Sequence, residues 1–264
     1  MAFPETNRVL YRKNPLAEVA VQLRFPPILK IDAESPAAVQ DVIRLDYPRY
    51  SLASAGNPIP PNLPPQIRDL IQSVGIRSGP VRHLFEAEDQ KWQIALTRET
   101  LELRSKVYRR WEEFRDRVGK LRTAFEQIYR PTFYSRLGLR YVDVVRRSLL
   151  DLAEIPWSQL LNPYVAGELS APELANGIDS VTRELHCRLE GDNCYLTLKT
   201  GLALAADPGR ERCFLIDSNF HTHKRTEIAD VASLLDTFNR TSGRLFRWSI
   251  QQRLHDALEP EPAE

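Results

Sequence analysis

Between Trp111 and Ile128 six large apolar side chains, Trp111, Phe114, Val118, Leu121, Phe125 and Ile128, follow one another at steps of 3, 4, 3, 4 and 3. A helix of 3.6 residues per turn puts that spacing on one stripe, so the segment reads as an amphipathic helix that must bury a face. Pro131 closes it. The stripe runs for under three heptads, short for a coiled-coil seam, so packing on a sheet is its expected use. Arg109 and Glu113, Glu113 and Arg117, and Asp116 and Lys120 are opposite charges four residues apart, expected to pair along the outer face.

Sheet-forming sequence lies on either side. Val19, Val21, Leu23 and Phe25 alternate with Ala20, Gln22 and Arg24, the period of a strand with one buried face. Pro26 and Pro27 stop it. Ser35-Pro36 reads as a helix start, with serine as cap and proline at the first helical position, followed by Val39, Val42 and Ile43. The five prolines between Ser51 and Pro65 predict an extended surface loop, and residues 66–74 a short helix. Residues 81–103 read as a meander, with Trp92, Ile94 and Leu96 as an inner row. Phe133 to Val145 is a further strand. Its alternation puts Phe133, Leu137, Leu139, Tyr141 and Val145 on one face, and Tyr134, Arg136, Arg140, Val142 and Val144 on the other.

Strands followed by one long helix then recur. Residues 181–190 and 194–204 are two strands around Gly191-Asp192-Asn193, residue types suited to a hairpin turn. Residues 213–223 form another. A helix follows from about Thr226, with Val231, Leu235, Phe238 and Leu245 inward, and Phe246, Ile250 and Leu254 after them. The fold class is therefore α+β, in two similar halves, each an antiparallel sheet with one long amphipathic helix. The boundaries are an N-terminal half at 1–150, a connecting segment at 151–180, a C-terminal half at 181–258, and a disordered acidic tail at 259–264.

Charge is distributed unevenly along the chain. The 36 Lys and Arg against 35 Asp and Glu nearly cancel over 264 residues. Between Arg104 and Arg147, however, eleven Arg and two Lys face five acids, and the remainder of the chain is acidic. Arg136 and Arg140 share a strand face with Tyr134. Guanidinium and aromatic groups displayed on a sheet can neutralise phosphates and stack bases, so these three residues are the candidate ligand-binding set. The alternative is that the arginines pair with Glu112 or Glu126 against the long helix.

A second constellation is Asp217-x-Asn219-x-His221-x-His223, four polar side chains on one strand face. Asp217, His221 and His223 could chelate a divalent ion as the centre of a metal-dependent enzyme, although a polar outer face of an antiparallel strand looks the same. The glycine-rich phosphate loops, the zinc-protease helix motif and the serine nucleophile elbow are all missing, and the 11 glycines do not cluster. No cofactor is expected, and a non-catalytic role is favoured. Cys187, Cys194 and Cys213 are too few for a disulfide framework, and hairpin pairing would set Cys194 opposite Leu189. His255 has no obvious partner. The N-terminus lacks the features of a signal peptide and no window suits a membrane span, so a reducing cytoplasm is expected. The aromatic-rich last helix near Phe246 and Trp248, with Trp248 off the inward stripe, raises a homodimer as a side expectation.

Four stretches carry a resemblance: Tyr11 to Phe25 (YRKNPLAEVAVQLRF), Tyr108 to Phe114 (YRRWEEF), Leu137 to Val142 (LGLRYV) and Leu245 to Leu258 (LFRWSIQQRLHDAL). In this order they resemble a sporadically distributed family of uncharacterised bacterial proteins of about this length, across nearly the whole chain. The resemblance implies a cytoplasmic bacterial protein, and its patchy occurrence a defence or toxin–antitoxin context. It implies no activity, cofactor or catalytic residue. The leading expectation is thus a binding or scaffold protein acting through a protein partner or an anionic ligand. Nucleic acid is the second expectation and the metal-dependent enzyme the third.

Overall fold

The computed structural model describes residues 3–54, 81–190, 193–204 and 211–263. The expected helix at 66–74, most of the proline-rich loop, and Gly191 and Asp192 of the expected hairpin turn lie outside the described residues. In chain order the elements are β1 (Val9–Tyr11), β2 (Leu16–Arg24), α1 (Lys30–Ala33), α2 (Ala37–Ile43), β3 (Arg49–Ser54), β4 (Val81–Glu86), β5 (Trp92–Leu96), β6 (Thr100–Ser105) and α3 (Trp111–Tyr129). There follow β7 (Arg136–Val145), α4 (Pro163–Ala166), α5 (Pro172–Ala175), β8 (Val181–Arg188), β9 (Tyr195–Leu204), β10 (Arg212–His221), α6 (Val231–Ser249), α7 (Gln252–Ala257) and β11 (Pro260–Pro262). The protein is α+β, with mixed helices and antiparallel strands.

The strands expected in two separate sheets join in one. Nine strands run in the order β3-β4-β5-β6-β2-β7-β10-β9-β8, every neighbouring pair antiparallel. Outward from the central β2·β7 pair stand β6-β5-β4 on one side and β10-β9-β8 on the other, each a meander of consecutive strands, with β3 beyond the first. The two long helices, α3 after β6 and α6 after β10, pack on one face of this sheet. Phe25 meets Phe125 at 4.7 Å between ring centroids, Trp92 stacks on Phe114, and Phe220 lies against Phe238. Trp111, Phe114, Val118, Leu121 and Phe125 are buried as their spacing requires, while Ile128 at the end of the stripe is half-buried. α3 and α6 are also tied to each other, through Trp111 Nε1 donating to Asp236 at 2.7 Å and an Arg115–Asp236 ion pair.

Several local expectations give way to longer-range contacts. Ser35 makes no side-chain cap on α2, whose first flanking residue is Pro36, and Val42 is exposed. The three expected ion pairs along α3 do not form. Glu112 is instead held by Arg8, and Arg117 lies over the Trp92 ring, because partners from elsewhere in the chain outcompete exposed neighbours on one helix. The segment 151–180 is more than a connection: Trp157, Leu160, Leu161, Val165 and Leu169 are buried, and Trp157 packs on Phe214 of β10. The tail expected to be disordered is paired as β11 with β1, and Glu259 beside it is held by Arg12 and Lys13. Composition predicts disorder there; the two basic side chains and an available backbone edge overcome it.

Candidate anion-binding face

Alternation along β7 separates two environments. Leu137, Leu139, Tyr141, Asp143 and Val145 point toward the helices, while Arg136, Gly138 and Arg140 point to the opposite, open face of the sheet. Asp217, Asn219 and His221 of β10 stand beside them, so the common face expected for these three is observed.

An alternating line of charge crosses that face from strand to strand. Arg82 of β4 lies 3.5 Å from Glu102 of β6, and Glu102 holds Arg104 at 2.8 Å. Arg104 reaches Glu18 of β2 at 3.4 Å, and Glu18 lies 4.0 Å from Arg140 of β7. Arg140 closes the line on Asp217 with a two-pronged contact, Nε donating to Oδ1 and Nη2 to Oδ2, both at 2.7 Å. This geometry raises the pKa of Arg140, chiefly through its bond to Asp217. Arg140 is therefore committed within the sheet, to Asp217 and not to Glu112 or Glu126.

Arg136 is in a different situation. Among the described residues it has no ion pair and no hydrogen-bond partner, and its Nε is buried without an acceptor. Other arginines whose Nε is similarly buried use their terminal nitrogens: Arg104 on Glu102 and Arg147 on the Ile155 carbonyl. Directly across the ladder from Arg136 stands Arg24. Burial, and then Arg24, push the Arg136 pKa down, the mark of a cation in an unfavourable place. Between Arg136 and Arg140 the strand carries Gly138, which leaves the floor of a hollow of about 250 Å³ without a side chain. A Cβ on Gly138 would sit 3.7 Å from both Asn219 Oδ1 and the Gln22 carbonyl, in ordinary contact. Space for a ligand, not backbone strain, is what the glycine supplies.

Tyr134 does not belong to this set. β7 begins at Arg136, and Tyr134 makes only an isolated bridge to Thr226, so strand alternation does not extend back through Ser135. Its ring is fully buried and its hydroxyl donates to Glu126 of α3 at 2.9 Å. The aromatic group on this face of the sheet near the histidines is Tyr195 of β9, which lines a neighbouring hollow with His221 and His223. Its ring lies 6.0 Å from that of His221 and 4.4 Å from that of His223, and the two imidazole Nε2 atoms are 3.2 Å apart. Burial is the main reason that the His221 pKa falls, and Arg136 adds to it. Asp217 is drawn to Arg140, away from the histidines, and among the described residues no three His, Cys, Asp or Glu are placed to hold a metal ion.

Two further residues have roles that sequence spacing did not single out. His255 accepts or donates at 2.8 Å to the Tyr11 hydroxyl, with the rings edge to face. Asp143 falls on the helix side of β7, in phase with Leu139, Tyr141 and Val145, and is buried. That phase is a signal readable in the sequence: a carboxylate in an apolar row. Trp248 is half-buried, its ring centroid 5.6 Å from that of Phe3.

No family model matches the sequence, and no curated protein matches it. Among the described residues no helix is long and apolar enough to cross a membrane.

Proposed function

We propose that the protein is a non-catalytic binding protein that takes an anionic ligand on the open face of its sheet, at the hollow between Arg136 and Arg140. The observation that carries this reading is the uncompensated Arg136, opposite Arg24 and beside a floor that Gly138 keeps open. An incoming phosphate or carboxylate would supply the acceptors that the Arg136 guanidinium lacks. Single-stranded nucleic acid is a second reading, favoured by the Tyr195, His221 and His223 rings at the edge of the same face. Cys187, Cys194 and Cys213 are thiols, which supports a reducing cytoplasm, and the motif resemblance supports a bacterial protein. The mirrored strand order supports descent from a duplicated unit of strands followed by one long helix.

Fluorescence anisotropy with labelled single-stranded RNA, single-stranded DNA and heparin at two salt concentrations tests the reading. Binding should weaken with salt, and Arg136→Ala should reduce the slope of that dependence by about one counterion. Gly138→Leu should fill the hollow and abolish binding while the fold persists. Absence of binding to all three at low salt overturns the proposal.

A further inference from the structure

A second cavity, of about 300 Å³, lies on the helix side of the sheet, between β1, the start of β2, β7 and α6. Its volume is at the lower end of those that hold small metabolites. Asp143 lies on its wall, only 8% exposed, and its carboxylate has no hydrogen bond or ion pair among the described residues. Three tyrosines, Tyr11, Tyr108 and Tyr141, and the Phe246 ring complete the interior. The Tyr141 hydroxyl donates to Asn239 and the Tyr11 hydroxyl meets His255, so these contacts leave the carboxylate unserved. β2 carries an irregularity between Leu16 and Glu18, beside the point where Leu16 pairs with Asp143.

A buried carboxylate walled by aromatic rings is the arrangement that captures an ammonium group, by ion pairing at one point and by the ring faces around it. The mouth has the opposite charge. Arg109 and Arg240 line the cavity, are exposed, and have no carboxylate partner among the described residues. Arg8 and Arg244, also at the cavity, are engaged by Glu112 and Glu5.

We propose that this cavity binds a small primary amine that is acidic at its far end, of the amino-acid class. Its ammonium group sits on Asp143 and its acidic group between Arg109 and Arg240. The site is separate from the open sheet face and does not depend on that reading. The electrostatic setting of Asp143 agrees with an unfilled demand for a cation. Burial, and then the Asp217 charge through the sheet, raise its pKa from 3.8 to about 7, and no cation offsets them. The groups that face the cavity from its other walls are the hydroxyls of Tyr11, Tyr108 and Tyr141, all held protonated by burial, the Arg247 guanidinium near Tyr11, and the guanidinium groups of Arg8 and Arg244 paired with Glu112 and Glu5.

Isothermal titration calorimetry of the full chain with 4-aminobutyrate, L-lysine, 1,4-diaminobutane and butyrate tests the assignment. The two amino acids should bind and butyrate should not. At about pH 6 the carboxyl group must ionise to take the ammonium group, so binding should release a proton and its heat should change with the ionisation heat of the buffer. Asp143→Asn should weaken amino-acid binding by about a hundredfold, as expected when one partner of a buried charge pair is lost. Arg109→Ala with Arg240→Ala should weaken the amino acids by about fivefold and leave the diamine unchanged. Arg136→Ala, on the other face, should change neither. A melting temperature for Asp143→Asn at or above that of the parent shows that a loss of binding is not a loss of fold. The proposal is overturned if no amine binds at millimolar concentration, if butyrate binds as well as the amino acids, or if binding survives in Asp143→Asn.

Discussion

At the scale of single residues, two side chains of β7 carry opposite expectations. Arg140 neutralises a nearly buried Asp217, so Arg140→Ala leaves that carboxylate without its two-pronged partner. Arg140 is itself 42% exposed, so solvent takes up part of the loss, and a destabilisation of about 2 kcal/mol in urea unfolding is expected. Arg136→Ala removes a cation that nothing compensates and should leave stability unchanged or slightly raised. Asp143 sets a pH dependence with a definite sign. Its folded pKa, about 7, stands above the ordinary 3.8, so between these values the folded chain holds a proton that the unfolded chain has released. The associated stability is fully present below about pH 4 and is lost as pH rises to about 7. Asp143→Asn should flatten that limb and stabilise the protein at about pH 8 by on the order of 3 kcal/mol, read from thermal melts across the range. Arg136 and Arg140 were legible from alternation alone. Tyr134 was not, because the strand period stops at Ser135, and the sequence gives no mark of that break.

Among the elements, α3 is the one most fully written in the chain. A stripe that repeats every three or four residues needs no tertiary information to be seen, and the structure buries it as spaced up to Phe125, with Ile128 half-buried at its end. Trp111→Ala removes a buried ring and its bond to Asp236 of α6, and should cost about 3–5 kcal/mol in chemical denaturation. A loss below about 1 kcal/mol would mean that the α3–α6 junction contributes little. Most strands of the large sheet were equally visible, down to Leu189 opposite Cys194, where the backbone amide of the first donates to the carbonyl of the second at 2.9 Å; β1, β3 and β11 were not, since residues 51–54 read as the start of a loop and the tail as disordered. What each strand pairs with was not visible. β2 joins β7 more than a hundred residues away, and nothing in a local period encodes that choice. The exposed charges of α3 fail as predictors for the same reason, since Arg8 and Asp236 arrive from distant parts of the chain.

Over the whole molecule, the ladder between β7 and β10 determines how the parts behave together. Eight residue pairs join the expected halves 1–150 and 181–258 there, and α6 packs on β7 through the Tyr141–Asn239 bond and on β10 through Phe238. Unfolding should therefore be a single transition, with calorimetric and van't Hoff enthalpies equal. Two resolved transitions, with boundaries near residues 150 and 181, would restore the two independent halves suggested by the order of strands and helices. The candidate sites were only partly readable at this scale. The open face uses neighbours on adjacent strands, which alternation brings within view. The Asp143 cavity gathers residues 8–11, 108–109 and 239–247 around one strand, and such a gathering exists only after folding.

The small ribbon of β1 and β11 stands apart from the nine-stranded sheet and spans three residue pairs, two of them to prolines that have no amide hydrogen to give. Beyond it, Arg12 and Lys13 donate their backbone amides to the carbonyls of Glu259 and Leu258. So short a ladder opens at far less free energy than the sheet beside it. In hydrogen–deuterium exchange, the amides of residues 9–13 should lose protection long before those of β2 and β7. Tyr11 belongs to this ribbon and walls the Asp143 cavity, so each opening also unseats one side of the enclosure. A ligand seated in the cavity would hold that wall in place, so the exchange of residues 9–13 should slow when one is bound.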